Sequence, residues 1–595
     1  MNPEDNEKEF AQKLLEATND HEILQIIDKA WISSLRKGKD RTFAEELIQL
    51  HNSKQIDLVH VFSTLENRAN SDIRFFSVRN IFEELLPNLN AEMSQVMDCV
   101  LHLVAQAGQD LTACILFRPF IEYCSAETTR PKQGLRLIED SADKYKPFLV
   151  SVLTAGSQAD FEHYFHEAIR LVNDKDIGIR REAVCSLGSL RYPEDLYYVD
   201  EAFQVLESAV NKEADDILLA SAVKVAFDLY QRNNLLTDRA TQLVDSALLK
   251  GGDTALWAAS RLFGFDCKDL PESLVDVLLK HLLRVNPNHK GTLDNIDYGV
   301  NHLFSSGAYE KGLKFIERML SSHKEAISLK VFDSTSHNLI QNKNNILGRI
   351  VTRWFLQGKQ ELCEGIVSIL EVVHGHELLI SLEQEELEEL ESEAIIFVAR
   401  KSIGYLFFQP VSAASVIISL MSFTSNDKTI QTLSSLLFDP LLINYSGKVG
   451  DYLKAQLETH VNTHVRQGVQ RAIESFESYI EDLKSIGDIP ELHPSQENRE
   501  VYRRRMTRQM SEAMKNAEKE SVFLSIITKS ILLYGRKSID YVYGPDGESR
   551  RMEMPLKSFG TEMEFPRLDN IDPFGLDYMI RIFRAEQRRA NEADN

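Results

Sequence analysis

A few groups of residues in this chain have types and spacings suited to chemistry beyond packing. His163, His166 and Glu167 stand at i, i+3 and i+4. On one helix that spacing aims two imidazoles and a carboxylate at a common point, a donor set for zinc or a related ion. No second cluster completes a coordination shell, so the three are read as the polar back of a helix whose apolar stripe is Phe165, Ile169 and Val172. His374-Gly375-His376 reads as a loop. Gly358-Lys359-Gln360 and Gly447-Lys448-Val449 lack the upstream glycine and the following hydroxyl that a phosphate-cradling loop needs, which speaks against nucleotide hydrolysis. The remaining candidates are basic. Arg503, Arg504, Arg505 and Arg508, Arg536-Lys537, Arg550-Arg551, Arg567 and Arg588-Arg589 are interleaved with Tyr502, Tyr534, Tyr541 and Tyr543. Such a composition suits phosphate contact with base stacking, or docking onto an acidic protein surface.

One further pattern lies in the same region. Pro545-Asp546 followed by Glu553 and Lys557 resembles the Pro-Asp, acid-x-Lys arrangement of a large nuclease superfamily, and the resemblance implies carboxylates on a metal ion and a lysine beside the nucleophile. The pattern departs in its spacing, since three residues separate Glu553 from Lys557 instead of one. On a strand they would share a face only across a bulge. Asp546-Gly547 is explained by turn geometry alone. No GxSxG elbow or cysteine-protease signature is present.

The elements that must position these residues are helical. Few glycines and prolines (27 and 16 of 595 residues) and long 3.6-period segments predict an almost all-helical chain. Such a length exceeds one compact core. Lys and Arg number 67 against 90 Asp and Glu, a formal net charge of -23, which opposes indiscriminate attraction to phosphate backbones. Six scattered cysteines without a CxxC pair are expected to be free thiols in a reducing cytoplasm. An acidic amphipathic start and the lack of a long apolar run predict a soluble intracellular protein without membrane association.

The most regular stretch runs from Glu162 to Leu190. A first helix ends at Asn173-Asp174-Lys175-Asp176, and a second places Ile179, Ala183, Leu187 and Leu190 on one face. Asp176 recurs at Asp215 and Asp253. The same offsets give Leu218, Ala222 and Ala226, then Leu256, Ser260 and Gly264, then, shifted by one, Ile296, Val300 and Phe304. Upstream, Asp72-Ile73-Arg74 with Ser77 and Ile81 repeats the arrangement. The small central residue lets crossing helices approach closely. This order resembles the second half of a HEAT repeat, and the resemblance implies an α-solenoid of stacked helix pairs.

The expected fold is therefore all-α, with a helical cap over residues 1–55 and a HEAT-like solenoid over 56–330. Pro119 and the polar stretch Ser125 to Gln133 are expected to interrupt a helix pair near its start. An irregular helical continuation covers 331–486, in which Leu382 to Ile395 reads as a solvated acidic helix. The loop Gly487 to Gln496 leads into a small C-terminal module over 497–595. That module is expected to contain an apolar helix, Ser521 to Tyr534, and one β-hairpin turning at Gly544-Pro545-Asp546-Gly547. An array of surface with no catalytic constellation, cofactor or metal predicts a non-enzymatic scaffold that binds a partner protein on a solenoid face. The alternatives are a nucleic-acid-associated protein using the basic C-terminal module, or an accessory subunit of a bacterial multi-component system such as phage defence, the last by analogy of fold.

Overall fold

A computed structural model describes residues 3–36, 42–68, 72–110, 112–323, 327–341, 345–372, 377–383, 387, 391–520, 537–543, 549–555 and 564–588. The chain forms two compact units, Met1–Leu339 and Ile340–Asn595.

In the first unit the apolar stripes found in the sequence become two layers of stacked helices. Leu149–Ala159, Ile177–Ser189, Asp216–Arg232, Asp253–Phe265 and Lys290–Ser305 each pack on the next. Phe161–Val172, Tyr197–Lys212, Thr237–Lys250 and Glu272–Leu282 form the second layer, and Tyr309–Ser322 packs on Lys290–Ser305. The repeated positions face inward: Ile179, Ala183, Leu187, Leu218, Ala222, Ala226, Leu256, Ser260, Ile296, Val300 and Phe304 are all buried. Close approach is real where small residues sit. Asn295 Nδ2 donates to Ser260 Oγ at 3.1 Å, and a Cβ on Gly264 would lie 2.5 Å from the Asn295 carbonyl oxygen.

Carboxylates fix the starts of three of these inner helices. Asp176 accepts from the N–H groups of Gly178 and Ile179, and Asp215 from that of Leu218, satisfying donors that a helix start leaves orphaned. Asp215 also takes both prongs of Arg181, at 2.7 and 2.5 Å. This Arg181 fork, outweighing burial, holds the Asp215 carboxyl below its usual range. At the next repeat the recurring aspartate has a different place. Asp253 is the first helical residue and Gly252 the cap, with no side chain to offer. Asp216, one repeat earlier, reaches across to accept from Gly252, Thr254 and Ala255 N–H at 2.6, 2.8 and 3.1 Å. Asp297 does the same for Ser334 and Thr335. Capping thus passes from within a repeat to between repeats, and it ties neighbouring repeats together.

The expected interruption near the start of the unit is confined to residues 126–128, between helices Phe117–Ser125 and Thr129–Asp140. Pro119 and Pro131 lie in the first turns of helices Phe117–Ser125 and Thr129–Asp140, where a missing N–H costs no hydrogen bond, so both helices run on.

In the second unit, helices Ile346–Gln357 and Gln360–Glu371 form the expected hairpin around Gly358, whose φ of 63° suits glycine. The acidic segment that follows is helical only from Ser392, where helix Ser392–Leu406 begins, and not at its described residues before that. Residues 377–383 are irregular and Leu387 lies in a turn, with the acidic helix expectation failing because backbone donors find side-chain acceptors instead. Ile380 N–H donates to Ser415 Oγ, Leu382 N–H to Ser419 Oγ and Glu383 N–H to Thr352 Oγ1, while Leu382 and Leu387 are buried. Helices Ser392–Leu406 and Pro410–Ser422 supply much of the core. Asp427–Leu436, Lys448–Thr459 and Thr463–Ile486 follow, with a break at Asp439. Beyond them come the charged helix Gln496–Glu520 and two antiparallel strands, β1 (Lys537–Tyr543) and β2 (Ser549–Pro555). Ile539 stands opposite Glu553 and Tyr541 opposite Arg551. The expected turn at Gly544 to Gly547 and the expected helix from Ser521 to Tyr534 lie outside the described residues. The last helix, Pro573–Ala585, packs on Ser392–Leu406.

Candidate interaction surface

Chemistry-bearing residues are dispersed in this structure. Among the described residues no group of three or more His, Cys, Asp or Glu is arranged to hold a metal ion. His163 and His166 are exposed, His166 Nδ1 sits 2.7 Å from the Glu162 carbonyl, and Glu167 pairs with Arg170 at 2.8 Å. Asp546 and Lys557 of the nuclease-like pattern lie outside the described residues. Four of the six cysteines are buried. Burial pushes the Cys363 thiol up to about 12, so it stays protonated and a poor nucleophile.

The basic residues singled out in the sequence are placed as follows. Arg503, Arg504, Arg505 and Arg508 are exposed on helix Gln496–Glu520, where Arg504 pairs with Glu500 at 3.2 Å. Arg551 pairs with Glu553. Arg567 stands 5.9 Å over the Tyr479 ring. Arg536 and the side chains of Lys537 and Arg550 lie outside the described residues.

A surface that the sequence reading did not single out lies on the first unit. Helix Asp253–Phe265 turns one stripe inward (Leu256, Ala259, Ser260, Phe263) and leaves Trp257, Arg261 and Phe265 at i, i+4 and i+8 on the outer side. Trp257 is 44% and Phe265 59% exposed, and Tyr298 of the next inner helix is 49% exposed. The Arg261 guanidinium lies 5.2 Å from the Trp257 ring and 5.9 Å from that of Phe265, and the Phe265 and Tyr298 rings are 5.9 Å apart. Arg261 has no carboxylate partner among the described residues. Beside it opens a shallow cleft of 410 Å³ lined by Asp253, Thr254, Trp257, His289, Gly291 and Thr292.

One titratable group on an inner helix gives the unit a pH dependence. Burial raises the Glu182 carboxyl to about 7, against the pull of Arg181 and Lys146. Its folded value lies above its ordinary 4.5, so the folded state binds the proton more tightly, and stability falls as pH rises from 4.5 through 7. Glu182→Gln is therefore expected to match the wild type near pH 5. Near pH 8 it should exceed the wild type by on the order of 1 kcal/mol, a figure discounted for partial exposure. Paired thermal melts at the two pH values measure it, and an unchanged gap between the two proteins would refute the assignment.

No family model matches the chain, and no curated protein does. Among solved structures it is similar to an engineered protein from the Northeast Structural Genomics Consortium. That pair is 12% identical, covers 80% of this chain and 99% of the other, and has a TM-score of 0.19. It is also similar to a circular tandem repeat protein with novel repeat topology and enhanced subunit contact surfaces, 15% identical over 81% of this chain and 97% of that one, with a TM-score of 0.15. Neither similarity is strong enough to argue from. The stacking of helix pairs alone gives the class, an all-helical, repeat-like packing consistent with a solenoid-type arrangement. Among the described residues no helix is long and apolar enough to cross a membrane.

Proposed function

We propose that the chain is a non-enzymatic scaffold that grips a partner protein on the Trp257, Arg261, Phe265 and Tyr298 face of its first unit. The observation that carries the reading is a guanidinium with no carboxylate partner among the described residues, flanked by two aromatic rings held in the open with a third ring beside one of them. Trp, Tyr and Arg are the residues in which binding energy concentrates at protein interfaces. The chemistry fits a partner segment that offers an apolar side chain to the 410 Å³ cleft and a carboxylate to Arg261. In this reading residues 56–330 are the gripping array, 1–55 its cap, 331–486 a helical continuation and 497–595 a module for a second contact.

A second reading, contact with nucleic acid through the C-terminal module, is favoured by the exposure of Arg503, Arg505 and Arg508 on one helix. One experiment separates the two. A stoichiometric partner recovered with the full chain is expected to be lost with Trp257→Ala/Phe265→Ala, at about 30-fold weaker binding for a hot-spot aromatic, and kept with Arg503→Ala/Arg505→Ala. The reverse pattern, with a salt-dependent gel shift of single-stranded nucleic acid, would replace the scaffold reading by the second.

A further inference from the structure

A cleft elsewhere in the first unit has a composition that neither helix packing nor the aromatic face uses. It has a volume of 530 Å³ and lies between helices Phe117–Ser125 and Leu149–Ala159, and its lining includes Arg118, Glu122, Thr154, Gln158 and Arg191. Arg118 and Arg191 are exposed, and neither guanidinium has a carboxylate or hydrogen-bond partner among the described residues. Arginines further along the unit behave differently. Arg170, Arg180, Arg181 and Arg239 are all committed to carboxylates. In the wall of the cleft Thr154 is only 6% exposed, and its hydroxyl has no hydrogen-bond partner. A buried polar group left in that state costs stability, and a rotation of the Thr154 side chain toward the cleft would let an oxygen-bearing ligand relieve it.

The backbone is arranged to keep these groups together. The Arg191 N–H donates to Ser157 Oγ at 3.1 Å, and the Ser157 hydroxyl donates to the Thr154 carbonyl at 2.8 Å. Arg191 is thereby tied to the turn that carries Thr154. Glu122 subtracts one charge from the lining and leaves it net positive, in a chain whose formal net charge is -23. Two planar guanidinium groups and a hydroxyl donor match the charge and the tetrahedral oxygens of a phosphate.

We propose that this cleft binds a phosphate-type oxyanion, free or esterified on a larger molecule, with Arg118 and Arg191 taking its charge and Thr154 donating its hydroxyl. Calorimetric titration of the full chain with inorganic phosphate tests it. Saturable binding is expected, at least about tenfold weaker in Arg118→Ala/Arg191→Ala and tighter in Glu122→Gln. Thr154→Val is the second measurement. It should weaken binding severalfold while leaving the ligand-free melting temperature unchanged or higher, because it deletes an unsatisfied hydroxyl at constant shape. A phosphoserine peptide binding more tightly than inorganic phosphate would mark the ester as the ligand form, and weaker peptide binding would mark the free anion. Wild-type protein that shows no saturable binding up to about 10 mM phosphate, or that binds acetate equally well, overturns the proposal, as does a double variant that binds like the wild type.

Discussion

Gly264→Leu is expected to destabilise the first unit by about 3 kcal/mol. Gly264 sits where Asp253–Phe265 crosses Lys290–Ser305, and even a Cβ would lie 2.5 Å from the Asn295 carbonyl oxygen and 3.2 Å from its carbon. Those atoms are helix backbone and cannot rotate away, so the two helices must separate. Separation breaks the 3.1 Å bond between Asn295 and Ser260 and loosens the packing of Ile296 and Leu256. A glycine in a helix costs about 1 kcal/mol relative to alanine, so part of the clash is offset in Gly264→Ala, for which a net loss of about 1–2 kcal/mol is expected. Gly291 supplies the control, because nothing lies within 4 Å of a Cβ built there. Gly291→Ala should be neutral or gain up to about 1 kcal/mol. Thermal or urea unfolding of the three variants decides it, and a Gly264→Leu melt within a degree of the wild type would show that the crossing is looser than described.

The same glycine shows how far the fold was legible in the sequence. Its position, two turns after Leu256 with Ser260 between, marks a close crossing because only small residues permit one, and the structure places the crossing there. The inward faces were readable for the same reason: helical periodicity is a local signal, and every repeated core position taken from it except the half-buried Gly264 itself is buried in this layer. What the sequence does not carry is the hydrogen bonding. Asp253 looks like Asp176 and Asp215 in sequence, yet capping there passes to Asp216, whose reach across a repeat boundary depends on helix spacing that no local window contains. Leu382 and Leu387 keep a helical spacing but are buried on an irregular segment, since Ser415 and Ser419 from a distant helix take its backbone donors.

The candidate surfaces were harder to see. Trp257, Arg261 and Phe265 repeat every four residues, just as the core stripe of the same helix does, and periodicity alone does not say which stripe faces out. The signal that was available is the arginine in the middle, because an unpaired guanidinium is costly to bury and turns its stripe toward solvent. Arg118 and Arg191 are far apart in sequence, and only the stacking of intervening helices brings them to one cleft. The sequence reading weighted arginines by their clustering along the chain, which is why it singled out Arg503 to Arg508 and passed over isolated ones.

Lys401→Met is expected to free the last helix, Pro573–Ala585, from Ser392–Leu406 at a cost of about 2–4 kcal/mol. The argument starts from the helix dipole. The two helices contact one another so that their last turns meet, which brings two partially negative ends together, each with carbonyls lacking intrahelical partners. Each helix answers with a cation for the other. Lys401 Nζ donates to the Arg584 carbonyl at 2.5 Å, and Arg584 Nε donates to the Gly404 carbonyl at 2.6 Å. Lys401 is completely buried, with the rings of Phe397 and Tyr405 at 5.3 and 6.0 Å, and desolvation lowers its pKa. A buried lysine is retained at that cost only where its charge and donors are used, and methionine keeps the volume while removing both. Arg584→Ala should act in the same direction, and the double variant should lose less than the sum, because both cations serve one junction. Arg400, paired with Glu586 at 3.0 Å on the accessible side, is the contrast, and Arg400→Ala should cost no more than about 1 kcal/mol. Amide exchange across 573–585 reads the outcome directly: protection there should collapse in Lys401→Met while the Pro410–Ser422 helix stays protected. If exchange in 573–585 is as slow in Lys401→Met as in the wild type, apolar packing alone holds the helix and the exchange of cations between the two ends contributes nothing.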